Sequence, residues 1–442
     1  MEKNHEQNKD KEDLKVDECN GPEDFQKEIE EIMRERFGDD IQVITKEINP
    51  LLKPGKGKNT KENYSKKQTS AQDVINNFSY NPKDIKEYLD RYIVKQDEAK
   101  KSLSIAVCDH YNHVSSMLQS ETIDSDEFYS KQNVLLLGPT GVGKTFIVKM
   151  IAKLIGVPFV KADATRFTET GYVGANVDDL VRDLVAMAGG DIELAQYGII
   201  FFDEADKIAG SSNHFGKDIS GRGVQYALLK LMEETEIDLR SSTDMTSQLQ
   251  AFMDFQTKGE ISKKVINTKN ILFIVSGAFT GLEDIVKRRL KAGAIGLKEN
   301  ILKKQLSNTN FSALASSKDF IDLGFEPEFI GRLPVRVSCM PLKIDDLFQI
   351  LKYSKSSIIN QYVGAFESYG IELEFTDKAL RKIAELAHKE KTGARALMTV
   401  CERVLRDFKF ELPSTNIDRL TVTEELVENP EGYLIWLLSQ YN

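Results

Sequence analysis

The stretch Gly138-Pro139-Thr140-Gly141-Val142-Gly143-Lys144-Thr145 decides the fold. Its spacing is that of a phosphate-binding loop. An apolar run, Asn133-Val134-Leu135-Leu136-Leu137, leads into it, and Phe146 to Leu154 continues from it until Gly156 and Pro158 stop the pattern. That order predicts a strand, a tight turn and a helix. Glycines let backbone N–H groups close around an anion, and the helix that follows points its positive end at the same spot. Gly138, Pro139, Thr140, Gly141, Val142 and Gly143 are therefore the candidate cradle for a nucleotide's phosphates. Lys144 is the candidate to reach the β and γ phosphates, and the hydroxyl of Thr145 the candidate ligand for Mg²⁺.

Downstream, Gly198-Ile199-Ile200-Phe201-Phe202-Asp203-Glu204 supplies the complement. Four apolar residues predict a buried parallel strand, and two carboxylates stand at its C-terminal end, where open α/β sheets bind ligands. Asp203 suits a hydrated Mg²⁺, and Glu204 suits an attacking water that must be polarised. Ile271 to Ser276 predicts a further buried strand, with Ser276 at its polar end as a candidate γ-phosphate sensor. The alternation of strands and helices gives an α/β class, a mostly parallel sheet covered by helices. Between these signals, Thr168-Glu169-Thr170-Gly171-Tyr172-Val173-Gly174 sets an aromatic-aliphatic pair between glycines. On residues alone, an exposed working loop and a plug folded back onto its own domain fit equally.

Upstream, residues 1–22 are polar and mixed in charge and are expected to be disordered. Phe25, Ile29, Ile32 and Met33 recur at helical spacing, which places a small segment with one amphipathic helix within 23–52. Residues 53–75 read as a polar linker, with lysines at 56, 58, 61, 66 and 67. A long helical pattern then runs from Asn81 to about Met117. The chain has 442 residues, enough for more than one core, so two folded domains and a tail are expected: a large domain over 76–338 and a small one over 339–442. In the small one, Leu380, Ile383, Ala384 and Ala387, then Leu397, Val400, Val404 and Leu405, keep helical periodicity, and Arg419 to Val422 suggests a strand. A polar segment from Glu234 to Lys264 has no clear assignment.

The net charge of −10 argues against a nucleic-acid binder. Four cysteines, Cys19, Cys108, Cys339 and Cys401, show no paired spacing and suggest a reducing compartment, with no zinc expected. No apolar stretch reaches membrane-spanning length and no secretory signal opens the chain, which makes the cytoplasm the expected location.

With these motifs in their order, the chain resembles the ClpX/HslU branch of the AAA+ ATPases, and within it the ClpX type most closely. Besides the phosphate loop, the Thr168 to Gly174 loop and Ile199 to Lys207, the resemblance is carried by the helix start Ser220-Gly221-Arg222-Gly223-Val224-Gln225 to Leu231, Gly277-Ala278-Phe279, Pro327-Glu328-Phe329-Ile330-Gly331-Arg332-Leu333-Pro334 and Thr392-Gly393-Ala394-Arg395. It implies that Arg332 is an arginine finger reaching the ATP of a neighbouring subunit, that Arg395 is the sensor-2 arginine of a mainly helical lid domain, and that Ile93 and Val94 line an adenine pocket. As isolated residues, both arginines would read as surface ion pairs. It further implies a homo-oligomeric ring, by family expectation a hexamer. Tyr172 and Val173 would grip unfolded or tagged protein substrates in its pore, since apolar side chains hold any sequence by burial. Ile295, Gly296 and Leu297 match the tripeptide that docks such rings onto a ClpP-type peptidase.

The expected function is thus ATP-driven protein unfolding and translocation, with no peptidase activity in this chain itself. The alternatives are a remodelling chaperone that works without a peptidase and, less well supported, a AAA+ machine on nucleic acid. The chain departs from the ClpX pattern in three places. Only Cys19 precedes the core where a cysteine-coordinated zinc domain is usual, no Arg-Lys-His pore-entrance loop is visible, and Lys95 stands where a glycine is usual.

Overall fold

Four consecutive apolar residues at Val134–Leu137 have no side to turn to water, and they form a strand buried along its whole length. In the computed structural model, which describes residues 71–119, 131–167, 176–210, 219–239, 264–293 and 311–441, the strands in chain order are β1 (Val134–Leu137), β2 (Phe159–Asp163), β3 (Ile199–Asp203), β4 (Glu236–Asp238), β5 (Val265–Asn267), β6 (Leu272–Gly277), β7 (Val335–Ser338), β8 (Glu372–Phe375) and β9 (Arg419–Val422). Parallel pairing builds a sheet in the order β2-β3-β6-β1-β7. Register sets Leu137 beside Gly277 and Ser338, and Asp163 beside Asp203, so the strand ends that carry the motifs share one edge.

Strand alternation divides the core between the two faces of this sheet. Leu136, Ile199 and Phe201 pack on one side with Ile85, Leu89, Leu103, Ile147 and Ile151. Leu135, Leu137, Ile200 and Phe202 pack on the other with Leu180, Leu228, Phe279 and Phe329. The first cluster continues into the C-terminal helices through Leu347, Leu380, Val400 and Val404.

That C-terminal part is mainly helical. Helix Asp377–Lys389, capped by the Thr376 hydroxyl on the Ala379 N–H, buries Leu380, Ile383, Ala384 and Ala387, the stripe its periodicity predicts. Helix Arg395–Glu411 likewise buries Leu397, Val400, Val404 and Leu405. The expected strand at Arg419 is β9, and its parallel partner β8 lies far upstream. The fold class is the α/β architecture with a helical C-terminal domain that the sequence predicts.

Some expectations meet a different local structure. Residues 71–75, at the end of the polar linker, open a helix, Ala71–Asn76, with Ile75 fully buried. The start of the unassigned polar segment forms β4, which pairs antiparallel with β5 immediately after the segment. The tail, the amphipathic helix and the rest of the linker lie outside the described residues. Among the described residues, no helix is long and apolar enough to cross a membrane.

Candidate active site

The phosphate loop follows β1 and opens the helix Lys144–Ile155, with Gly143 as its N-cap. Its glycines are required by geometry. Gly141 has φ of +76°, and a Cβ there would run into the backbone of Thr392, while Gly393, at φ +65°, would meet Gly141 in return. The Ala394 N–H donates to the Gly141 carbonyl at 2.8 Å, so the turn that starts helix Arg395–Glu411 sits directly on the loop. Lys144 Nζ donates to the carbonyls of Gly138 and Pro139, at 2.5 and 3.0 Å. Burial pushes its pKa down, and the nearby Asp203 carboxylate pulls it part of the way back.

Asp203, at the end of β3, is almost fully buried and well partnered. Its Oδ2 accepts from the Thr145 hydroxyl at 3.3 Å and lies 3.2 Å from Lys161 Nζ, while Oδ1 accepts the Glu204 N–H at 3.0 Å. A hydroxyl and a carboxylate meeting there are the hard oxygen donors that suit Mg²⁺, which Thr145 and Asp203 would hold. Glu204 adopts φ of +55°, a left-handed conformation that is costly for a residue with a Cβ and that concentrates at functional sites. Asp206 joins the two strand ends, its Oδ1 accepting the Ala278 N–H at 3.1 Å.

These groups line one cavity of about 780 Å³, a volume suited to a nucleotide. Its polar end comprises Thr140 to Thr145, Asp203, Glu204, Asp206 and Lys207, and its apolar end Tyr92, Ile93, Val94, Leu342, Ile350, Leu397 and Met398. Arg395 lines it as well, brought from far along the chain. Gly138 and Pro139 do not line it; their carbonyls accept from Lys144.

Two expected residues do not join this cavity. Ser276 is fully buried, its hydroxyl has no partner among the described residues, and it does not line the space. The reason is register: β6 runs two residues beyond the apolar run, to Gly277, so Ser276 pairs with Leu136 inside the sheet, and Gly277 and Ala278 reach the cavity. Arg332, at the end of helix Pro327–Gly331, is 54% exposed and pairs with Glu233 at 2.8 Å. Its carbonyl accepts from the buried Asn133 amide at 3.3 Å, which ties its turn to the start of β1. Tyr172, Val173, Ile295, Gly296 and Leu297 lie outside the described residues.

Lys161, Asp206, Ser354 and Gln361 were not singled out by sequence. Lys161 carried one usable signal, a lysine within an otherwise apolar strand pattern next to the sheet's acidic edge.

Residues 129–336 match the family model described as an AAA domain of the Cdc48 subfamily, and residues 342–416 match the C-terminal D2-small domain of ClpB protein. The ATP-dependent Clp protease ATP-binding subunit ClpX of Treponema denticola is 40% identical over 338 residues, covering 75% of this chain and 77% of that protein. The subunit of the same name from Borrelia duttonii is 40% identical over 351 residues, covering 79% of this chain and 78% of its own length.

Proposed function

From the premise that the chain belongs to the ClpX family of AAA+ ATPases, and is itself an ATPase, we propose that it works as a ring that unfolds and translocates proteins and hands them to a ClpP-type peptidase. The observation that carries this reading is a division of the catalytic set. The phosphate loop, Asp203, Glu204 and Arg395 share one cavity, whereas Arg332 stands on the surface outside it. A cation that cannot serve its own nucleotide can serve a neighbour's, which makes hydrolysis a property of the assembly.

In this reading Ile93 and Val94 hold the adenine, the loop N–H groups and Lys144 hold the phosphates, and Glu204 polarises the water that attacks the γ phosphorus. Thr145 and Asp203 would hold Mg²⁺, which would offset the negative charge of the phosphates. Arg395 and a neighbour's Arg332 stabilise the charge that develops as the bond to the leaving ADP oxygen breaks. Ser276 has no part in this assignment, because its hydroxyl lies within the sheet. Tyr172 and Val173 are the proposed grip on the substrate chain, and Ile295, Gly296 and Leu297 the proposed peptidase contact, both by family resemblance. The proposed setting is the cytoplasm.

The test is ATP-dependent loss of fluorescence from a tagged, stably folded reporter, with and without a ClpP-type peptidase, alongside light scattering for assembly. Loss of signal that needs ATP, and degradation that also needs the peptidase, are expected. A lone subunit at saturating ATP, or a reporter that stays folded, would overturn the reading. Unfolding that persists while Leu297→Asp leaves peptidase binding unchanged would remove the docking assignment alone.

A further inference from the structure

Lys95, the residue that stands where the resemblance expects a glycine, sits at φ of +62°, and so does Gln96. Glycine is the natural occupant of such a conformation, so a lysine there carries a conformational cost. Its side chain spans to the C-terminal part of the molecule. Nζ donates to the Pro341 carbonyl at 2.8 Å and to Asp346 Oδ2 at 2.7 Å, in an ion pair whose side chains are 24% and 18% exposed. Beside it, the buried Gln96 amide is bonded both ways to Met340, donating to its carbonyl at 2.8 Å and accepting its N–H at 2.7 Å.

These bonds fall at one place in the cavity. Tyr92, Ile93 and Val94, immediately before Lys95, line its apolar end together with Leu342 and Ile350 from the C-terminal part. Pro341 adjoins Leu342. Asp346 lies one helical turn before Ile350 on helix Ile344–Tyr353, hence on the same face. Lys95 therefore bonds to the backbone beside Leu342 and to the helix that carries Ile350, both of which line the same cavity.

We infer that Lys95 is a positioning residue for the nucleotide's base: by clasping Pro341 and Asp346 it holds these two parts of the apolar lining at the separation that grips a flat ring. The inference rests on the nucleotide reading of the cavity and assigns Lys95 no contact with the ligand. The clasp is local to the base end, so the phosphate loop does not depend on it.

Lys95→Gly in the full-length protein tests this, because glycine suits the backbone and removes only the clasp. Relief of the strained φ and the added freedom of the unfolded chain oppose one another, so the melting temperature should stay close to that of the parent. A fluorescent ATP analogue should bind roughly five- to tenfold more weakly, as expected for loss of a partly buried ion pair. Turnover at saturating ATP should stay within about twofold, and Lys95→Arg should recover most of the affinity. Inorganic tripolyphosphate, which needs only the phosphate end, should compete as well as before. Equal ATP affinity in parent and Lys95→Gly would overturn the role of Lys95 and leave the nucleotide reading intact. Equal weakening of ATP and tripolyphosphate would also overturn it, by showing a general loosening. A parent protein that binds no ATP would sink both readings together.

Discussion

At the polar end of the cavity, Lys144 bonds to carbonyls five and six residues back, and Asp203 meets Thr145 in the first turn of the helix after the loop and Lys161 on the adjacent strand β2. At the apolar end, Gln96 reaches across 244 residues to Met340, Lys95 across 251 to Asp346, and Tyr92 takes a hydrogen bond from Ser354 across 262. The first kind of geometry comes with a strand, a turn and a helix, and survives as long as the sheet does. The second is a contact between parts of the molecule that meet only when the C-terminal helices dock. Chemistry is thus placed where the chain is locally stiff, and the grip on the base where it depends on docking. At Gly141 and Gly393 the docked part touches the phosphate loop itself.

This contrast can be broken most forcefully at the water-polarising carboxylate. Glu204→Gln should lower steady-state ATP hydrolysis by roughly 10² to 10⁴-fold while fluorescent ATP binding stays within a few-fold. Hydrolysis at the parent rate would remove Glu204 from the mechanism. Next in size, Gly393→Ala places a Cβ against Gly141 at a left-handed position, and ATP affinity should fall about tenfold, with a melting temperature lower by a few degrees. Here tripolyphosphate should weaken along with ATP, because the clash is with the loop. Ser354→Ala removes the hydroxyl that donates to the Tyr92 carbonyl at 2.8 Å, along with its local bonds to Ser356, and should weaken ATP only a few-fold and tripolyphosphate not at all.

The smallest effect is a proton. Burial has lowered the pKa of Lys144 from its ordinary 10.5, so on the alkaline side, below 10.5, part of the protein carries this lysine uncharged. Phosphates beside it favour the charged form and raise that pKa again, so ATP binding takes up protons, and affinity falls as pH rises through the lowered value. Calorimetry in buffers of different ionisation heat should detect this uptake for ATP and tripolyphosphate and not for adenosine. Uptake with adenosine would place the titrating group at the wrong end.

The same contrast explains what could be read in advance. The phosphate loop, the Asp203-Glu204 strand end and the helical stripes at Leu380 and Leu397 follow from periodicity and turn chemistry, because each is a property of neighbouring residues. Ser276 marks where that reading failed, since a one-residue extension of β6 to Gly277 turns a strand-end hydroxyl into an interior one. Lys161 escaped notice because its partner Asp203 lies on the adjacent strand, and pairing register cannot be counted along a chain. Arg332 could be proposed as a finger only by resemblance, and its Glu233 pair and its place outside the cavity appear only in three dimensions.

Glycines at fixed intervals, carboxylates behind an apolar run and stripes of leucine and alanine state a phosphate site on a parallel sheet with a helical lid, because backbone sterics and burial act over a few residues and leave a periodic trace. Docking of that lid, the clasp from Lys95 to Asp346 and the seat of Gly393 on Gly141 leave no such trace. They depend on which surfaces meet once the sheet has formed, and a contact between distant segments is specified by shape and charge in space.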